Sequence, residues 1–311
     1  MIKKTLYFGN PAYLSLSNKQ LVIKLPEVEK AKDLPEIVRQ TATKTIPIED
    51  IGVMILDHRQ ITITQGLIAA LLDNTTALIT CNEKRMPTGL MLPLQGNNTQ
   101  NERFRKQIEA SQPLKKQLWQ QTVKAKIENQ AALLEQVTHR YAKTLHRLAD
   151  EVNSGDTNNY EAQAAVYYWS HLFPSIPNFV RGQDEAPPNN LLNYGYAILR
   201  AVVARALVAS GLLPVYGIFH HNKYNDYCLA DDIMEPYRPF VDQLAITLMA
   251  KYEDISTLST EMKRELLQIP VLDVKISGKK SPLMIAVAQS TASLAKCFNG
   301  EARRISYPLF T

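Results

Sequence analysis

Two adjacent histidines, His220 and His221, are followed within sixteen residues by three carboxylates, Asp231, Asp232 and Glu235. Oxygen ligands with a single imidazole nitrogen suit a hard divalent cation such as Mg2+ or Mn2+. Asp231 and Asp232 precede Glu235 by four and three residues. On one helix the three share a face, so either aspartate could orient a ligand or a metal-bound water. What such a constellation lacks is a further carboxylate from elsewhere in the chain.

Glu161 is a carboxylate from elsewhere in the chain that has two explanations. Residues 155–173 read as the beginning of a helix, with Thr157, Asn158 or Asn159 as cap and Ala162, Ala164, Ala165, Trp169 and Phe173 as a small-then-large packing face. The ordinary explanation of Glu161 is its place in the first turn, where exposed amides favour a carboxylate. The functional explanation is that a small-residue surface admits another helix closely and leaves the carboxylate facing inward. A second apolar helix, beginning at Asn189 or Asn190 after Pro187-Pro188, has its apolar positions all round and must be central in a bundle. Its polar exceptions, Asn189, Asn193 and Arg200, read as hydrogen-bonded structural groups. Tyr168, Tyr194, Tyr196, Arg181 and Arg238 read as core or ion-pair groups, with Arg238 set to pair with the acidic cluster.

Around these residues the chain divides in two. Its first part, residues 1–96, is strand-rich: short β-branched and aromatic runs lie at 5–8, 13–17, 20–25, 51–56, 60–64 and 77–81, with one helix at 65–72. His58 beside Asp57 reads as a turn residue. A linker is expected at about 87–100, where Pro87, Gly89, Pro93 and Gly96 precede a polar string. From 101 to 311 the signals are helical, giving an α+β chain: a small β-domain with one helix, then a larger all-α domain. Between residues 101 and 126 seven basic residues, Arg103, Arg105, Lys106, Lys115, Lys116, Lys124 and Lys126, face two acidic ones, Glu102 and Glu109. Singly each is a solvated side chain; together they form a candidate phosphate-contacting surface.

Composition bounds the function without choosing it. The 311 residues allow about two domains, with 45% hydrophobic content and 21% charge. A net charge of +5 and a pI near 8.9 lean mildly toward polyanionic partners. Three separated cysteines, Cys81, Cys228 and Cys297, argue for a reducing compartment and against zinc. The N-terminal residues carry no apolar core of signal-peptide length, and no run reaches the roughly 18 uninterrupted apolar residues of a membrane span, so a cytoplasmic location without membrane contact is expected.

In order, these motifs are an E-x-x-A-A helix at Glu161, Asn-Leu-Leu-Asn-Tyr-Gly-Tyr ending at Tyr196, Gly217-Ile218-Phe219-His220 and Asp232-Ile233-Met234-Glu235-Pro236-Tyr237-Arg238. With a β-domain carrying Tyr13-Leu14-Ser15-Leu16, the order resembles the universal CRISPR adaptation integrase family over nearly the whole chain. The stretch from His220 to Tyr227 is similar to the form in type II systems. The resemblance implies a metal site at Glu161, His220 and Glu235, which are then the catalytic residues. His220 and not His221 matches the family histidine, with Phe219 where the family has leucine. Asp231 and Asp232 are then second to the ligands, and Arg103, Arg105, Lys106, Lys115, Lys116 and His221 are candidates for DNA contact. Further implications are double-stranded DNA as substrate, with the 3'-hydroxyls of a short fragment joined to a CRISPR repeat by transesterification, and Mg2+ or Mn2+ as cofactor. The implied assembly is a homodimer that joins a small second adaptation protein in a heterohexamer, with a type II effector nuclease as a further partner; the β-domain is its expected dimerisation and partner surface. The C-terminal tail is apolar enough to dock on its own domain or on a partner. Two rivals remain: a stand-alone metal-dependent nuclease on branched DNA, and a non-catalytic DNA-binding scaffold.

Overall fold

The computed structural model describes residues 2–26 and 43–310, which fall into two compact units, residues 1–96 and 97–311. In the first unit, β1 (Lys4–Phe8), β5 (Ile51–Leu56), β7 (Ala77–Cys81) and β8 (Pro87–Met91) form one sheet in that order, the first three parallel and β8 antiparallel. A second sheet has the order β4 (Lys44–Pro47), β3 (Gln20–Lys24), β2 (Ala12–Ser17), β6 (Ile61–Ile63). Strand β5 lies between two parallel neighbours, and Ile51, Val53, Met54 and Ile55 are all wholly buried. That two-sided burial explains its continuous apolar run. Asn18 and Lys19, both at positive φ, close the two-residue turn between β2 and β3. Helix α1 (Gln65–Asp73) supplies Leu67 and Leu71 to a core shared with Leu14, Leu21, Ile51, Met54 and Leu78.

Two edge strands escape sequence reading. Residues 87–91, expected to open the linker, are β8; Pro87 and Gly89 are turn-formers, but an edge strand tolerates both. Strand β4 is also an edge and ends on Pro47.

The second unit contains α2 (Gln100–Ile108), α3 (Gln112–Thr138), α4 (Lys143–Glu151), α5 (Tyr160–Leu172), α6 (Asn189–Ala209), α7 (Cys228–Met234), α8 (Arg238–Lys251), α9 (Thr260–Leu266) and α10 (Leu283–Phe298). It departs from an all-helical unit in one hairpin, β9 (Asp273–Ile276) with β10 (Lys279–Pro282). Ser277 and Gly278, both at positive φ, make its turn, while Val274 and Ile276 alternate inward. Helix α6 is the central one, with buried residues on every side. By length and mean hydropathy it would suffice to cross a membrane, but 72% of that stretch is buried inside the unit, the position of a core helix. The C-terminal tail docks on its own unit: Phe310 is buried, its N–H donates to Asn129 Oδ1 at 2.9 Å, and Leu309 bridges to Lys275.

Candidate active site

The site lies where α3, α5 and the turn leading into α8 meet. Lys126, in the middle of the long helix α3, is 6% exposed. Its ammonium contacts Glu161 Oε1 and lies 2.5 Å from Glu235 Oε2. Both contacts are ion pairs, so one ammonium serves two carboxylates. Glu161 is placed by Asp156, whose two carboxylate oxygens accept the N–H groups of Tyr160 and Glu161 at 2.9 Å each. The cap is therefore Asp156 and not Thr157, Asn158 or Asn159; Asn159 stands at the boundary in left-handed backbone with no capping side-chain bond. Because Asp156 satisfies those amides, Glu161 is free of the capping role expected of it.

Glu235 opens a 3-10 turn, Glu235–Tyr237, on which α7 ends. Asn129 of α3 fixes that turn by donating to the Pro236 carbonyl at 2.7 Å and to the Pro308 carbonyl of the tail at 3.1 Å. Arg238 lies 3.0 Å from Glu235 Oε1 and over the Tyr196 ring, so the expected pairing with the acidic cluster forms. Burial pushes the Glu235 carboxyl up, but Arg238 and Lys126 outweigh it and the net direction is down. Lys126 moves the opposite way: burial pulls it down, and Glu235 and Glu161 raise it further.

His220, close enough to Glu235 to feel its charge, is held by Asp232. Its Nδ1 is 2.6 Å from Asp232 Oδ1. Asp232, wholly buried, also accepts the main-chain N–H groups of Ile218 at 2.7 Å, Phe219 at 3.0 Å and His220 at 3.2 Å. One carboxylate thus shapes the whole turn that presents the histidine. Gly217 is required there, because a Cβ would strike the His220 carbonyl and come 2.8 Å from Asp232 Oδ2. Phe219 stacks on Trp119 with ring centroids 4.2 Å apart. The hydrogen bond to Asp232 raises the pKa of His220 above its ordinary value, against the effect of burial. With Nδ1–H committed to Asp232, Nε2 of the neutral ring carries the lone pair available to a ligand.

The two adjacent aspartates diverge. Asp232 orients His220, whereas Asp231 makes a two-pronged pair with Arg200, 2.6 Å from Nε and 3.1 Å from Nη2, and accepts from Asn225 at 2.8 Å. Among the described residues no three His, Cys, Asp or Glu side chains already form a metal-ligand cluster. Glu161 and Glu235 nevertheless converge on one positive group, and carboxylates with an imidazole nitrogen are the donors a hard divalent cation takes.

The basic residues between 101 and 126 do not share one face. Lys115 is buried with its ammonium 4.7 Å from the Tyr216 ring centre, and Lys126 is buried between the glutamates. Both are thereby withdrawn from the phosphate-contacting surface expected of them. Arg103 donates to the Ser210 carbonyl at 2.6 Å and Lys124 pairs with Asp150 at 3.3 Å. Arg105, Lys106, Lys116 and His221 are exposed. Sequence reasoning missed Asp242: it is buried on α8 and receives the hydroxyls of Tyr196 at 2.6 Å and Tyr168 at 2.8 Å. Burial pushes its carboxyl up to about 6.

A profile of the family described as "CRISPR associated protein Cas1" matches residues 6–263. The chain is 36% identical over 310 residues to the CRISPR-associated endonuclease Cas1 of Neisseria meningitidis serogroup C, covering 99% of this chain and 96% of that one. Its fold is similar to that of a casposase bound to integration product, with a TM-score of 0.76 at 19% identity over 98% of this chain and 92% of that one. A chain of a Cas6-RT-Cas1–Cas2 complex is also similar, with a TM-score of 0.73 at 20% identity, covering 97% of this chain and 35% of that one. With a family profile spanning most of its length and a relative this similar end to end, the chain belongs to the CRISPR-associated Cas1 family.

Proposed function

We propose that this protein is a metal-dependent DNA integrase and endonuclease of CRISPR adaptation, joining the 3'-hydroxyl ends of short DNA fragments to a CRISPR repeat. The observation that carries the reading is the convergence of Glu161 and Glu235 on a single cationic position, beside a His220 whose Nδ1 is fixed by Asp232. Glu161, Glu235 and His220 Nε2 would hold Mg2+ or Mn2+. Such an ion, when bound, polarises a non-bridging phosphate oxygen and offsets charge developing in an in-line displacement.

The chain's own residues do the positioning. Asp232 keeps the His220 ring in one tautomer and orientation, Asp156 aims Glu161 from the start of α5, and Asn129 and Arg238 fix the turn that carries Glu235. Exposed Arg105, Lys106, Lys116 and His221 are the side chains available to hold the DNA backbone. Transesterification and hydrolysis at such a site differ only in which oxygen attacks.

The similarity to chains titled as a casposase–integration product and as part of a Cas1–Cas2 complex supports DNA and the small adaptation protein Cas2 as partners. The reading includes homodimers joined with Cas2 in a heterohexamer, the type II effector as a further partner, and a cytoplasmic location, which three widely separated cysteines suit. An integration assay tests it. Purified protein with Cas2 from the same locus is given a short duplex with free 3' ends and a supercoiled plasmid carrying a repeat, in Mg2+ or Mn2+. Fragment–plasmid adducts should form with the wild type and vanish with Glu161→Ala and His220→Ala. Joining that survives both substitutions would sink the site assignment.

A further inference from the structure

Lys126 stands at the one position that Glu161 and Glu235 share. It belongs to a run of basic residues whose usual place is the surface, yet its side chain is only 8% exposed. Two carboxylates brought together, one buried and one half-buried, repel one another, and a positive charge between them favours keeping both ionised. Arg238 serves one oxygen of Glu235; Lys126 is the group that touches both residues.

The geometry points to Lys126 as an internal competitor for the divalent cation: its ammonium holds Glu161 and Glu235 together in the metal-free protein and leaves them when a metal takes both. This inference rests on the proposed metal reading of Glu161, His220 and Glu235. Two features fit exchange rather than a permanent bond. Glu161 is 27% exposed at its side chain, leaving a path from solvent. A lysine ammonium on a flexible four-carbon stem can withdraw without moving its helix. The arrangement keeps the paired carboxylates in place before metal arrives and lowers the affinity with which they take it.

The test is a calorimetric titration of Mn2+ into metal-free wild type, Lys126→Met, Lys126→Gln and Glu161→Gln, with thermal melting of each in chelator and in Mn2+. Lys126→Gln retains a hydrogen-bond donor between the carboxylates, so the result does not hang on the folding of Lys126→Met. Removing a competitor for one site should tighten Mn2+ binding by about tenfold or more. The lysine variants should melt below wild type in chelator and gain more from Mn2+ than wild type does. Equal or weaker Mn2+ binding in the lysine variants, with Glu161→Gln still abolishing it, overturns the competitor role and leaves the metal reading intact. Mn2+ binding that is indifferent to Glu161→Gln removes the metal reading, and the competitor role with it.

Discussion

The two halves of the candidate site are held by different means. His220 is fixed by a buried aspartate that also accepts three main-chain N–H groups, so moving the ring means undoing the turn from Gly217 to His220. Glu161 and Glu235, each anchored on its own element by Asp156 or by Asn129 and Arg238, are joined across helices by one side-chain ammonium. In the proposed metal reading, the difference teaches that the nitrogen ligand would be preorganised by backbone and the oxygen ligands poised by the Lys126 charge.

The largest expected effect breaks the backbone-held half. Asp232→Ala leaves three main-chain donors and an imidazole without the acceptor that a wholly buried carboxylate supplies. It should destabilise the protein by about 3–5 kcal/mol in chemical denaturation. Mn2+ should not restore it, in contrast to the lysine variants.

Asp242 bears on the other half through α5, the helix that carries Glu161, because it accepts the Tyr168 hydroxyl of α5 as well as that of Tyr196 on α6. Its folded pKa, about 6, exceeds its ordinary 3.8. The stability this group contributes is therefore complete below pH 3.8 and is lost as pH rises through about 6. By that shift, the stability of wild type relative to Asp242→Asn should fall by about 3 kcal/mol across this window. Paired denaturation curves at several pH values check it; a difference independent of pH would contradict the assignment.

Gly217→Ala sharpens the comparison further. With the His220 carbonyl and Asp232 Oδ2 in the way of a Cβ, the substitution should cost about 1–3 kcal/mol by overpacking. It should also lower joining activity while leaving the Glu161–Lys126 pair in place, as a crystal structure of the variant would display. Smallest of all, Arg105→Ala, Lys106→Ala and Lys116→Ala should each change stability by less than about 0.5 kcal/mol. Each that meets a phosphate should reduce the salt slope of duplex binding by about one. An unchanged slope in all three would place the DNA elsewhere.

Glu161, His220 and Glu235 could be named from the sequence as candidates, because ligand-type residues stand in motifs whose order resembles the family's. Their supports were less legible. Asp231 and Asp232 have nearly equivalent spacing to Glu235, yet one turns to Arg200 and the other to His220, a choice that chain packing makes and spacing does not. Lys126 and Lys115 looked like their basic neighbours, because burial of a single lysine is decided by carboxylates or rings contributed from distant segments. Asp242 was hidden for the same reason: its tyrosine partners lie 74 and 46 residues away. In the fold, the central strand β5 and helix α6 announced themselves by continuous apolar runs, whereas edge strands β4 and β8 carry the Pro and Gly that normally mark loops.

The most direct measurement is anomalous diffraction from crystals grown with Mn2+ in place of chelator. A single peak bounded by Glu161, Glu235 and His220 Nε2, with the Lys126 ammonium swung away from both carboxylates, is the predicted result. A peak elsewhere, or Lys126 still bridging Glu161 and Glu235 at full Mn2+ occupancy, would contradict the account.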